Sequence, residues 1–139
     1  MSTIRHTRNR LQRVPLPSLV LVGDLAVLGG LLWYGFIDHG VDPFASPEHA
    51  ILVAVPFLFG WLFVAPLAGL YNEWVIRSGF ATVLLLVPVW LFVTLVGSMF
   101  RAMPALPGMA PPIFVLVMLG FGLLAMLTWR LVVVAVTAQ

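Results

Sequence analysis

Two ionisable side chains stand inside long apolar runs, Asp24 and Arg130. A carboxylate held at such depth has two uses. It can take up and release a proton, or it can hold a cation. An ionisable group within a membrane-spanning helix costs about 2.5–3.5 kcal/mol on insertion scales, so it faces protein or water and has a partner. A second group of polar residues follows the first apolar run: Asp38-His39, Asp42 and Glu48-His49. Imidazoles beside carboxylates are metal ligands in principle, but this spacing fits no zinc pattern, and the expectation is a solvated, mildly acidic loop. Arg101 closes the set, and an ion pair with Asp38 or Asp42 is expected for it. Glu73 and Arg77 stand four apart in the order that suits a helix surface pair. His6 has no identifiable partner.

The elements that must position these residues follow from composition. Of 139 residues, 62% are hydrophobic and 9% charged, and mean hydropathy is +1.11. A soluble domain is nearer half apolar and a quarter charged. Soluble enzyme, disordered tail and nucleic-acid module are thereby excluded, although the pI is 9.9. Four apolar stretches are long enough to cross a bilayer, at about 18–37, 50–70, 80–100 and 112–135. They must be helices, because backbone groups in lipid are satisfied only within their own segment. The predicted fold is therefore all-α, a polytopic four-helix transmembrane bundle over 15–139, preceded by a basic segment at 1–14. Asp24 lies about 9 Å into the first helix and Arg130 about 7.5 Å from the end of the fourth. On helices running in opposite directions these depths coincide, and an ion pair between them is one expectation; the other is that Arg130 snorkels to the inner headgroups while Asp24 is protonated or capped by water.

All seven basic residues are Arg. With the N-terminus inside, Arg5, Arg8, Arg10, Arg13, Arg77 and Arg130 fall on or near the inner side and only Arg101 outside. That asymmetry predicts both termini in the cytoplasm and a multi-pass protein of the plasma membrane. The first four Arg also suit anionic lipid headgroups. Trp33, Tyr34, Phe36, Tyr71, Trp74 and Trp129 are placed as interface anchors. Pro56, Pro66 and Pro88 interrupt helices. Ala26/Gly30 and Ala65/Gly69 are small-residue pairs, and Gly120 with Gly122 thins the last helix, for packing within the bundle or in a homo-oligomer.

Cysteine is absent, so disulfides and thiolate chemistry are excluded. No phosphate-binding glycine loop, nucleophile elbow or metalloprotease motif occurs. The expectation is no enzyme, no cofactor, no metal and no nucleic-acid partner. A structural or accessory membrane protein is the leading function. The alternative is a small proton-coupled transporter or channel-like protein using Asp24, since small exporters also have four helices and an acidic residue in the first. The one-sided Arg distribution and the availability of Arg130 count against it.

In order along the chain, Asp24; Gly35 and His39-Gly40; Pro56-Phe57-Leu58-Phe59-Gly60-Trp61 with Pro66 and Gly69; Pro88-Val89-Trp90, Gly97 and Arg101; then Phe114 and Trp129-Arg130 resemble an uncharacterised family of small prokaryotic integral membrane proteins, a domain of unknown function. The Pro-Phe-x-x-Gly-Trp run is its most specific part. The resemblance implies four membrane helices and no assigned activity. It draws Asp24, Arg130, His39 and Arg101 together as the residues that matter.

Overall fold

The computed structural model describes residues 15–106 and 109–138. The basic segment with Arg5, Arg8, Arg10 and Arg13, together with His6, lies outside the described residues. The chain folds into α1 (Leu16–Asp38), α2 (Pro47–Leu67), a four-residue α3 (Glu73–Ile76), α4 (Gly79–Arg101) and α5 (Pro112–Thr137), with no strand among the described residues. The four longer helices are each long and apolar enough to cross a membrane. They form a closed ring: α1 packs on α2, α2 on α4, α4 on α5 and α5 on α1. The first residue of α1, the α2–α4 link and the end of α5 meet at one end of the bundle, here the terminal end. The opposite, loop end carries residues 39–46, 102–106 and 109–111.

Helix starts follow proline and serine chemistry. Pro17 sits in the first turn of α1, Pro47 opens α2 and Pro112 opens α5, positions where a missing N–H costs nothing. Ser78 caps α4 by accepting from the Ala81 N–H at 3.3 Å. Glycine ends two helices. Gly40 (φ 67°) and Gly69 (φ 83°) adopt left-handed backbone. At each, the next N–H reaches back to a carbonyl of the last turn, Val41 to Phe36 at 2.8 Å and Leu70 to Ala65 at 3.1 Å. These are Schellman closures. They correct the sequence expectation twice. The second helix stops at Leu67 rather than residue 70, and Gly69 is a cap rather than a packing partner of Ala65.

Helices α1 and α2 each bury a narrow stripe repeating every fourth residue. On α1 it is Val20, Asp24, Leu28 and Leu32; on α2, Val53, Phe57, Trp61 and Ala65. The remaining faces are just as apolar and lie exposed, as lipid-facing surfaces are. The glycines that let helices approach are Gly23, Gly97 and Gly122. A Cβ on Gly97 would stand 2.6 Å from the Phe57 ring, and Cβ atoms on Gly23 and Gly122 would overlap the rings of Trp129 and Trp90. The expected pair Ala26/Gly30 is instead exposed, with nothing near Gly30.

One irregularity was not visible in the sequence. Within α5, Met118–Gly122 forms a π-helical turn between α-helical Pro112–Val117 and Leu123–Thr137. The Trp90 indole N–H donates to the Met118 carbonyl at 3.2 Å while its ring lies over Gly122. A π-turn releases carbonyls from the regular ladder, and a neighbouring side chain takes one.

Candidate functional site

At the terminal end, Asp24 and Arg130 form a bidentate ion pair, Nε to Oδ1 at 2.9 Å and Nη2 to Oδ2 at 2.6 Å. Both are sealed, with 0% and 1% of their surface exposed. Two aromatic donors complete the carboxylate: Trp129 Nε1 donates to Oδ1 at 3.0 Å and the Tyr71 hydroxyl to Oδ2 at 2.6 Å. Trp61 Nε1 in turn donates to the Tyr71 oxygen at 2.9 Å. The free arm of the guanidinium, Nη1, donates to the Leu70 carbonyl at 3.1 Å, and its plane lies 5.0 Å from the Tyr71 ring centre. The carboxylate therefore accepts four charge-assisted or polar hydrogen bonds, and every arm of the guanidinium that faces protein is occupied. Such saturation is the condition under which a buried pair is tolerated.

The four chain segments of this centre, α1, α2, the link after α2 and α5, are brought together by features already described. The Asp24 position on the buried stripe of α1 aims it inward, and Gly23 leaves room for Trp129. The Gly69 closure reverses the chain after α2, so that the Leu70 carbonyl and Tyr71 turn back over the bundle end. Tyr71 and Trp129, expected as interface anchors, are hydrogen-bond donors to Asp24 instead. Burial, the adjacent carboxylate charge and the hydrogen bond to Asp24 hold the Tyr71 phenol well above its ordinary value, so it remains a donor. Sequence reasoning missed Tyr71, Trp61 and Trp129. The available signal was their spacing to the charged residues, but indoles and phenols near a membrane boundary read first as anchors.

Arg77 also departs from expectation. Its side chain does not pair with Glu73; Nη1 donates to the Thr137 carbonyl at 2.6 Å and closes the end of α5. Thr82 Oγ1 donates to the Val75 carbonyl at 2.8 Å, fixing α3 against α4.

Arg101 and His39 lie at the loop end, away from the Asp24–Arg130 centre. Arg101 forms no pair with Asp38 or Asp42. Asp42 Oδ1 accepts from the Phe44 N–H at 2.8 Å, and the single ion pair among the described residues is that of Arg130. Arg101 places its guanidinium 4.3 Å from the centre of the Phe114 ring and donates from Nη2 to the Met109 carbonyl at 3.2 Å. Its side chain, with His39 and His49, lines a cavity of about 120 Å³ whose walls include Leu32, Phe36, Val53, Phe114 and Met118. Among the described residues, no three His or acidic side chains gather closely enough to hold a metal ion.

Four apolar helices in a ring, tied at one end by a buried ion pair, define a multi-pass membrane protein of the four-helix-bundle class. The chain belongs to the family described as protein of unknown function (DUF3054), whose model matches residues 21–133. No curated protein and no solved structure matches it.

Proposed function

We propose that this chain is a structural or accessory membrane protein in which Asp24 and Arg130 hold the bundle together, and that it catalyses no reaction. The observation that carries the proposal is the closure of Asp24: a carboxylate with no exposed surface and four donors already in place. A proton-coupled transporter, the alternative function, needs a carboxylate that meets water and exchanges partners during the cycle. The cavity lined by Arg101 and His39 does not include Asp24. We further propose the plasma membrane as its location, with the terminal end in the cytoplasm, supported by the Arg distribution. Anionic headgroups at Arg5, Arg8, Arg10 and Arg13 and a second copy of the chain are the proposed partners. Ala26 and Gly30, both exposed on α1, are small residues that would let a second helix approach.

Replacing Asp24 by Asn or Ala in purified, reconstituted protein tests the function. The expected outcome is a lowered unfolding temperature in both variants, with no pH-driven flux in the parent protein. A variant that keeps its fold while abolishing a measurable proton-coupled flux overturns the structural reading in favour of transport.

A further inference from the structure

The loop-end cavity has a charge character that its own chain leaves unanswered. Arg101 is a cation at the mouth of an apolar bundle, yet its two polar or cationic contacts are a neutral backbone carbonyl and an aromatic face. Its Nε is buried with no hydrogen-bond partner. His39 and His49 add two imidazoles to the same lining. Asp38, Asp42 and Glu48 belong to the same loop region, but none of them lines this cavity. The face of α4 that carries Arg101 continues inward through Ser98 and Thr94, at helical spacing. Their buried hydroxyls also have no partner. Ser98 and Thr94 do not line the cavity, whereas Arg101 does, and a buried donor without a partner is rare in folded proteins. At the terminal end, by contrast, each hydrogen-bonding arm of Arg130 is used.

We infer that the cavity is a binding site for a small oxyanion, a carboxylate or phosphate, held by Arg101 with His39 and His49. A volume of about 120 Å³ is the space of roughly four water molecules at about 30 Å³ each, enough for one phosphate or carboxylate head. A guanidinium presents paired N–H donors that match the two oxygens of either group. The apolar walls formed by Leu31, Leu32, Phe36, Phe114 and Met118 suit a hydrocarbon stem attached to that head. The oxyanion reaches the site either as the headgroup of a membrane amphiphile or as a free anion from the water at the loop end. This inference is independent of the structural role of Asp24, which lies at the other end of the bundle.

The test is titration of the full chain, in an uncharged maltoside detergent, with dodecyl phosphate and separately with inorganic phosphate, followed by calorimetry. Saturable binding is expected, weakened about tenfold or more in Arg101→Met, the loss typical of one charge-assisted contact. Gly35→Leu supplies a second variant that keeps every charge. Gly35 lines the cavity, and a Cβ there meets no neighbouring atom, so a leucine is introduced at the cavity wall without a clash at Cβ. It is expected to weaken binding comparably while leaving the unfolding temperature within a few degrees of the parent. A preference of about tenfold or more for dodecyl phosphate assigns the site to a lipid head, and equal affinity for inorganic phosphate assigns it to a free anion; both support the oxyanion site. Absence of saturable binding by either probe, or affinities unchanged in a folded Arg101→Met or Gly35→Leu protein, overturns it.

Discussion

Removing one partner of the Asp24–Arg130 pair leaves the other charge sealed in the bundle. That asymmetry governs what substitution does at the residue scale. Arg130→Met leaves the Asp24 carboxylate with only Tyr71 and Trp129 as donors, and a loss of about 3–5 kcal/mol is expected. Replacing both partners at once, Asp24→Leu with Arg130→Met, removes the uncompensated charge together with the need for it. The double variant is therefore expected to be more stable than Arg130→Met alone, although it orphans the Tyr71 hydroxyl, the Trp129 N–H and the Leu70 carbonyl. Equilibrium unfolding of the single and double variants in detergent measures this. A double variant no more stable than the less stable single one would show that the polar shell, rather than the ion pair, governs the site. Asp24 and Arg130 were legible as a pair because their depths on oppositely directed helices coincide. Tyr71, Trp61 and Trp129 were not, since residue type and membrane depth suit an anchor and a buried donor equally well. Arg101 was paired wrongly in sequence reasoning, because proximity along a loop end says nothing about which way a side chain turns; here it turns over Phe114.

At the scale of the element, α5 separates two glycines of the same type and nearly the same position. Gly120 faces open space, whereas a Cβ on Gly122 would overlap the Trp90 ring. Gly122→Ala is expected to lower stability by about 1–3 kcal/mol, the usual cost of overpacking a filled interior. Gly120→Ala is expected to be neutral or to stabilise by up to about 1 kcal/mol, since Ala is the better helix former. Thermal unfolding of the two variants side by side checks this, and equal effects would contradict the packing of Trp90 over the π-turn. Helix existence and most helix limits were readable from apolar length and from proline and glycine placement. The π-turn was not, because it depends on Trp90 of a different helix taking the Met118 carbonyl. Nor was the inward stripe of α1 or α2, since helices apolar all round carry no sequence contrast between core and lipid.

For the whole molecule, the orientation proposed from the Arg distribution is open to a direct chemical test. The native chain has no cysteine, so single introduced thiols report without background. Ala45, exposed at the loop end, and Ala138, exposed at the terminal end, are suitable positions. In intact cells an impermeant maleimide is expected to label Ala45→Cys, and to label Ala138→Cys only after the membrane is opened. The reverse pattern would overturn the cytoplasmic placement of the terminal end. The two ends also differ in how their charges are used. The terminal end is internally saturated. The loop end presents a cation with an unused donor, the site proposed for an oxyanion.

The amino-acid sequence by itself determined that this protein is four membrane helices, because apolar length against bilayer thickness leaves no other arrangement for backbone hydrogen bonds. It also determined which charges stand at matching depth, because rise per residue converts position into distance along a helix. The tertiary structure alone decided which face of each helix is core, which glycine accepts a ring, and which aromatic side chains donate to Asp24. Those outcomes depend on rotation of the helices about their axes and on side-chain direction. In a chain apolar on every face, neither is encoded by hydrophobic pattern; both are settled only when four helices pack together and the few polar groups find one another.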